Sequence, residues 1–224
     1  MSVIFCFGDS NTWGCRPVVD RTKPPKRYGP GGRWPDVMAN ALGPGFTVVS
    51  DGLNGRTTIF DDPIEGMDKN GRRALVPQIE SHRPVDLVLI MLGTNDLKSR
   101  FAVSGATIAA GAGELAALAA GTGFGPDGEP PRVLLVAPPA TCVDATSGTF
   151  GDDFSGADQR SARFGDQFAR VAMTVGADFF DAGSHARSSE VDGIHLSAGS
   201  QRRLGRALAA WVSEQLRADR PTDH

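Results

Sequence analysis

Short, continuous apolar runs recur at long intervals along this chain, and their spacing constrains the fold more than any other feature. They are rich in Val, Ile, Leu and Phe and occupy residues 3–7, 46–50, 86–92, 132–137 and 178–181. Because the runs mostly do not alternate with polar residues, they are typical of strands buried on both faces of a parallel sheet. Strands that alternate with helices predict an α/β class, a doubly wound sandwich with a central parallel sheet of about five strands.

Helical patterns separate or follow these runs, over residues 34–42, 74–81, 104–120, 158–175 and 197–218. Pro35 stands at a helix start, Gly43 at a helix end, and Ser197 is suited to cap the last helix. Neither a linker nor an internal repeat divides the chain. We therefore expect a single domain over residues 1–224, with 219–224 as a loose tail.

Charge and cysteine usage argue against several classes of partner. The net charge is −3, so the chain has no general attraction for nucleic acid or anionic membranes. No apolar run approaches the roughly 20 residues that span a bilayer. The N-terminus enters a strand pattern without a basic segment, and three cysteines form no paired framework, which predicts a cytoplasmic location. Histidine and cysteine pairs with metal-ligand spacing are absent, so we expect no metal and no cofactor.

Functional residues are expected at one edge of the sheet. Four residues follow predicted strands directly: Ser10, Asn54, Asn95 and Pro139. The carboxyl ends of parallel strands share an edge, and ligands of such sheets bind there. The connections 57–73 and 138–157 are long for a compact domain, which is typical of the walls or lids of a site. They carry Phe60, Phe150 and Phe154, which we expect to form an apolar wall that sets ligand preference.

Ser10 has the setting of a nucleophile. It follows Gly8 and Asp9 at the end of the first run, and Gly8 permits a tight turn into a helix. Alone, such a serine is equally well explained as a helix N-cap. Near the other end of the chain, Asp192 and His195 stand three residues apart. Together these residues supply the hydroxyl, the base and the orienting acid of a serine hydrolase.

Two further segments offer hydrogen-bond donors at the same edge. Residues 52–56, Gly-Leu-Asn-Gly-Arg, follow the second run, and residues 93–96, Gly-Thr-Asn-Asp, follow the third. Taken singly, each is typical of a turn. Placed beside Ser10, they predict an oxyanion hole. We expect the adjacent carboxylates, Asp9 and Asp96, to cap turns or hold loop N–H groups.

These four blocks, taken in order, resemble the SGNH (GDSL-type) hydrolase family. They span positions 8 to 195 of the chain. The resemblance implies a three-layer α/β/α, flavodoxin-like sandwich, with Ser10 as nucleophile, His195 as base and Asp192 as its partner. It also implies an oxyanion hole formed by the Ser10 N–H, the Gly55 N–H and the Asn95 amide. Gly52 is the alternative to Gly55.

The finer pattern resembles the bacterial arylesterase/acyltransferase branch of that family. This implies a serine esterase that acts on short-chain or aryl esters through an acyl-enzyme, with possible acyl transfer to alcohols. It also implies a homo-oligomer assembled through the long loops. Asn11 stands where leucine is common, and Cys15 stands where some members have an aromatic residue. The residues expected to bind the small-molecule ester are Trp13, Asn11, Cys15, Asn54, Phe150 and Phe154.

Two alternatives stay open at this level. A carbohydrate deacetylase or a thioesterase would use the same three catalytic residues with a different pocket. A flavodoxin-like module would instead cradle phosphate or FMN, with the Ser10 turn as an anion-binding nest. That second alternative leaves Asp192 and His195 without a role.

Overall fold

The computed structural model describes residues 1–143 and 149–218. Within them, one parallel sheet has the strand order β2-β1-β3-β4-β5. Its strands are β1 (Ser2–Gly8), β2 (Phe46–Gly52), β3 (Leu87–Met91), β4 (Arg132–Ala137) and β5 (Asp178–Asp181). The predicted class and the five-stranded parallel sheet are confirmed.

Helices cover both faces of the sheet. In chain order they are α1 (Ser10–Trp13), α2 (Trp34–Leu42), α3 (Gly71–Glu80), α4 (Gly105–Ala120), α5 (Ala157–Ser161), α6 (Phe164–Val175) and α7 (Ala198–Ala218). One apolar cluster joins the sheet to α3, α4 and α6, and a second joins its other face to α2 and α7. The three-layer sandwich is therefore confirmed. None of the helices described is both long and apolar enough to cross a membrane.

Strand β1 shows why its sequence is a continuous apolar run. Phe5 and Phe7 belong to the first cluster, whereas Ile4 and Cys6 belong to the second. All four side chains are fully buried. Because side chains alternate between the two faces of a strand, a sheet covered on both faces needs apolar residues at every position.

The prediction of one continuous helix over residues 158–175 is wrong, because the chain forms two helices there, α5 and α6. Side chains of α5 hold the preceding loop. The Asp158 carboxylate accepts hydrogen bonds from the Thr141 hydroxyl at 2.8 Å and from the Val143 N–H at 2.9 Å. The Ser161 hydroxyl accepts one from the Thr141 N–H at 3.0 Å. A single apolar pattern spans both helices, so the break leaves no mark in the sequence.

Helix α3 begins three residues before its predicted start, at Gly71. The Asn70 side chain caps it by accepting a hydrogen bond from the Arg72 N–H at 3.0 Å. The first turn is Gly-Arg-Arg, which carries no apolar spacing. At α7, the Ser197 hydroxyl accepts a hydrogen bond from the Ser200 N–H at 3.2 Å, so the predicted cap is confirmed. The predicted tail, 219–224, lies outside the described residues.

The sheet register brings three strand ends to one level. Gly8, the last residue of β1, is paired with Gly52, the last residue of β2, and with Met91, the last residue of β3. The segments that follow these strands therefore leave the sheet side by side. This is the edge at which the sequence placed its candidate residues.

Candidate active site

Ser10 opens the one-turn helix α1 directly after β1. Asp9 is the N-cap of this helix, and its carboxylate accepts a hydrogen bond from the Asn11 N–H at 2.9 Å. The interpretation of Ser10 as an N-cap is therefore wrong. A Cβ on Gly8 would lie 2.0 Å from the Thr12 hydroxyl oxygen, so the absence of a side chain lets helix α1 pack closely against the end of β1.

A hydrogen-bonded chain links Ser10, His195 and Asp192. The Ser10 Oγ lies 3.0 Å from His195 Nε2, and His195 Nδ1 lies 2.6 Å from Asp192 Oδ2. The other oxygen of Asp192 accepts hydrogen bonds from the N–H groups of Ile194 and His195. All three side chains are buried. Nucleophile, base and orienting acid thus have the reach that triad chemistry requires.

The surroundings of His195 favour its charged form. Burial alone would lower the imidazole pKa, but hydrogen bonds and charge interactions with Asp192 and Cys15 raise it to about 9. Burial opposes ionisation of Asp192 as well. Its hydrogen bond to His195 and the histidine charge prevail, and the pKa of Asp192 is lowered. The pair is therefore built to hold an imidazolium beside a carboxylate.

Candidate oxyanion donors follow β2 and β3. Gly55 has a φ of +83° and lines the same cavity as Ser10 and Asn95. The Asn95 amide donates one hydrogen bond to the Arg56 carbonyl at 3.1 Å. A primary amide has two N–H donors, so a second remains for a ligand. Gly52 packs against helix α1 instead and does not line the cavity.

Arg56 braces this edge of the sheet. Its guanidinium donates hydrogen bonds to the Gly8 carbonyl at 3.0 Å and to the carbonyl and carboxylate of Asp51 at 2.8 and 2.9 Å. It also lies 4.0 Å from the centroid of the Phe7 ring. With 2 % of its side chain exposed, it ties the ends of β1 and β2 together.

Asp9 and Asp96 hold loop N–H groups, as expected. Asp96 accepts hydrogen bonds from both the N–H and the hydroxyl of Thr58. Burial raises the pKa of each carboxyl to about 6, although their hydrogen bonds oppose the shift. Both carboxyls are fully enclosed by protein, and neither lines the cavity.

A cavity of about 160 Å³ opens at Ser10 and His195. The other residues that line it are Cys15, Val18, Arg21, Pro25, Asn54, Gly55, Glu65, Asn95, Lys98, Phe150, Asp153, Phe154 and Ile194. Of the six residues predicted to bind substrate, four are in this set. Asn11 and Trp13 are not, because the Asn11 side chain turns towards backbone and the Trp13 ring packs under Arg27 at 4.9 Å.

Two phenylalanines form an apolar wall. The rings of Phe150 and Phe154 lie 6.0 Å apart at their centroids, and Phe150 lies 6.0 Å from the His195 ring. The Arg21 guanidinium covers Phe150 at 4.7 Å and pairs with Asp153 at 2.6 Å. Phe60, the third predicted wall residue, packs against Phe101 and does not reach the cavity.

Apart from Cys15, the sequence does not predict a role for the segment between α1 and α2, which also contributes Val18, Arg21 and Pro25 to the cavity. The Val18 N–H also donates a hydrogen bond to Asp192 at 2.7 Å. The length of this connection, about 20 residues, was the signal that could have revealed it. Its residues match no catalytic motif, so no pattern in the sequence marks it as part of a site.

Charged residues in the lining are paired. The Lys98 ammonium lies 2.5 Å from Glu65 and 3.4 Å from Asp62, and Arg21 pairs with Asp153. Over residues 1–143 and 149–218, no group of three or more His, Cys, Asp or Glu side chains could hold a metal ion. The arrangement is suited to attack on a carbonyl carbon by Ser10, with charge developing towards Gly55 and Asn95.

Comparisons with known proteins agree with this geometry. Residues 6–203 match the model of the GDSL-like lipase/acylhydrolase family. The aryl esterase of M. smegmatis is 38% identical, with a TM-score of 0.89 over 96% of this chain and 99% of that one. A carbohydrate acetylesterase from Sinorhizobium meliloti gives the same identity, coverage and TM-score. No similar sequence was found among curated proteins.

A more distant structure shares the fold. The lipase/acylhydrolase from Enterococcus faecalis is 17% identical, with a TM-score of 0.62 over 96% of this chain and 97% of that one. The family match over residues 6–203, not this distant structure, confirms the resemblance drawn from the four sequence blocks.

Proposed function

Because the chain belongs to the GDSL-like lipase/acylhydrolase family and is therefore a carboxylic ester hydrolase, we propose that it is a serine esterase acting through an acyl-enzyme. The observation that carries this proposal is the hydrogen-bonded chain from Asp192 through His195 to Ser10 at the wall of a cavity. A phosphate- or FMN-binding module is excluded by the family. The positively charged side chains in the described lining are also already paired with carboxylates.

In the proposed reaction, Ser10 Oγ attacks the ester carbonyl carbon while His195 Nε2 takes the hydroxyl proton. Asp192 stabilises the resulting imidazolium. The N–H groups of Ser10 and Gly55 and the Asn95 amide hold the negative oxygen of the tetrahedral intermediate. Collapse of the intermediate expels the alcohol oxygen, which receives the proton from His195. Water then cleaves the acyl-enzyme by the same steps, and another alcohol that enters instead would accept the acyl group.

The cavity supports small substrates. A cavity of about 150 Å³ in another protein holds one benzene ring, and the cavity beside Ser10 has about 160 Å³. An acetyl or butyryl group, or one aryl ring, therefore matches the space available. The similarity to an aryl esterase supports the same substrate class.

A second candidate is an esterase that removes acetyl groups from carbohydrates. The polar side of the cavity favours it, because the carboxylates of Glu65 and Asp153 stay about one third exposed beside their ion pairs and have lone pairs left to accept hydrogen bonds from sugar hydroxyls. Similarity to a carbohydrate acetylesterase also supports it. Comparing kcat/KM for phenyl acetate with kcat/KM for an acetylated sugar distinguishes the two candidates.

Labelling by a fluorophosphonate probe tests the proposed mechanism. The parent protein should be labelled and should hydrolyse phenyl acetate. Ser10→Ala should lose labelling and about 10⁴-fold or more in kcat, as in other triads. Ser213→Ala, on helix α7, is a matched control that should behave like the parent. A Ser10→Ala variant that retained activity within tenfold of the parent would exclude Ser10 as the nucleophile.

Two further expectations from the sequence stay predictions, a cytoplasmic location and a homo-oligomer assembled through the long loops. Sedimentation velocity of the purified protein measures the oligomeric state.

A further inference from the structure

Asn11, the residue after the proposed nucleophile, holds the backbone on both sides of His195. Its Nδ2 donates a hydrogen bond to the Ile194 carbonyl at 3.3 Å, and its Oδ1 accepts one from the Leu196 N–H at 2.9 Å. One partner is an acceptor and the other is a donor, so the contacts fix the orientation of the amide. The side-chain amide thus makes one donated and one accepted hydrogen bond to the backbone on either side of His195, as the backbone of a neighbouring β-strand would.

The backbone of Asn11 is itself firmly held. Its N–H donates to the Asp9 carboxylate, and its carbonyl accepts a hydrogen bond from Gln201 Nε2 at 3.1 Å. Gln201 is fully buried in α7, and its side-chain oxygen accepts a hydrogen bond from the Trp34 N–H at 2.8 Å. Asn11 therefore links three parts of the fold: helix α1, the loop that carries His195, and helices α2 and α7.

Ser10 and Asn11 are adjacent in one helical turn. The hydrogen bonds of Asn11 to Ile194 and Leu196 therefore also hold Ser10 close to the loop that carries His195. The hydrogen bond between Ser10 Oγ and His195 Nε2 joins two segments that are 185 residues apart in sequence. Asp192 orients the imidazole from within its own loop, but it does not fix that loop to helix α1. The two hydrogen bonds of Asn11 do so directly, on either side of His195.

We infer that Asn11 is a positioning residue that sets the separation of Ser10 and His195 by holding Ile194 and Leu196. The inference rests on the proposed function, because it gives His195 the role of base. It replaces the expectation that Asn11 binds substrate, since the amide faces the backbone of residues 194 and 196 and Asn11 does not line the cavity. A misplacement of about 1 Å at reacting groups can lower a rate about 10²-fold.

The test is a double-mutant cycle on kcat for phenyl acetate. Asn11→Leu has a similar size and removes both hydrogen bonds. It should lower kcat 10- to 100-fold, with KM changed less than about twofold. His195→Ala should lower kcat far more. In the His195→Ala background, Asn11→Leu should change the residual rate less than about twofold, because Asn11 acts through His195.

Thr12→Val is the matched control. Thr12 is fully buried next to Asn11, and its hydroxyl has no hydrogen-bond partner among the described residues. This variant should keep the parental kcat. Circular dichroism checks that each variant folds, and Asn11→Ala, which only removes atoms, replaces the leucine variant if that variant does not fold.

The possible failures are distinguishable. If Asn11→Leu lowers the rate equally with and without His195, the residue only supports the fold and the inference is overturned. A parental kcat in Asn11→Leu overturns it too. If His195→Ala itself keeps the parental rate, the proposed function fails instead.

Discussion

The Asn95 side-chain amide donates a hydrogen bond to the backbone carbonyl of Arg56 at 3.1 Å. This contact joins the loops after β2 and β3, and it directs an amide that lines the cavity beside Ser10. Arg56 is in turn held by its buried guanidinium at the ends of β1 and β2. The donor is therefore positioned before substrate arrives, which is the condition under which an oxyanion hole is effective.

Asn95→Ala should lower kcat about 10²- to 10³-fold and change KM little. The amide matters most when negative charge develops on the carbonyl oxygen, so its loss affects the transition state more than the bound ester. Steady-state kinetics with phenyl acetate measures the effect. Asn40→Ala, at an exposed position of α2, is the control and should match the parent. A raised KM with an unchanged kcat would make Asn95 a residue that binds the ground state.

Phe150→Leu and Phe154→Leu should shift acyl-chain preference towards longer esters. Both rings line the cavity, and leucine leaves more space there. Leucine is chosen because Phe154 is buried in the core, where truncation to alanine costs about 3–5 kcal/mol of stability.

The measurement compares kcat/KM for acetyl, butyryl and octanoyl esters. Phe60→Leu serves as the matched control, since Phe60 packs against Phe101 outside the cavity. If all three rates scale alike in the two cavity variants, the rings only support the fold.

The sequence predicted the residues that follow strands because a parallel sheet places its carboxyl ends together. Ser10, Asn54, Gly55 and Asn95 all reach one cavity for this reason. What it could not predict depends on contacts between distant loops. The pairing of Arg21 with Asp153 is one example. The hydrogen bond from the Val18 N–H to Asp192 is another, since a backbone donor has no signature in the sequence.

The role of Asn11 also escaped prediction from the sequence. Its position next to Ser10 indicated a place in the acyl pocket, but side-chain direction in a one-turn helix depends on how that helix packs. Here the amide faces the 194–196 backbone. Gly52 was the alternative oxyanion donor on sequence grounds. In the structure, its lack of a side chain instead lets helix α1 pack closely against the end of β2.

Gly52→Ala should destabilise the protein strongly. A Cβ at this position would lie 2.1 Å from the Trp13 backbone nitrogen, so helix α1 would have to move away from β2. Overpacking of this kind costs about 1–3 kcal/mol or more. Thermal unfolding measures the loss. Gly45→Ala is the matched control, because a Cβ there meets nothing within 4 Å. Equal melting temperatures for the two variants would contradict the close packing of α1 on Gly52.

The last prediction concerns pH. His195 must be neutral to accept the Ser10 proton, and its pKa is raised to about 9 although burial opposes the shift. Below that pKa the neutral fraction falls tenfold per pH unit, so kcat/KM should rise with pH well above 6.5, the ordinary histidine value. Phenyl acetate is a suitable substrate because it does not itself titrate in this range.

Asp192→Asn should change both the acidic limb and the alkaline plateau of the dependence of kcat/KM on pH. Burial lowers the His195 pKa, and the hydrogen bond to the Asp192 carboxylate is the largest effect that raises it. Without this carboxylate the histidine pKa should fall, and the acidic limb should move to lower pH. The alkaline plateau should drop about 10⁴-fold, because asparagine holds the imidazole in the wrong tautomer. Asp181→Asn is the control. The Asp181 carboxylate accepts hydrogen bonds from the Gly183 N–H and the Ser184 hydroxyl, and it does not line the cavity. A near-parental plateau in Asp192→Asn would show that this carboxylate does not orient the base.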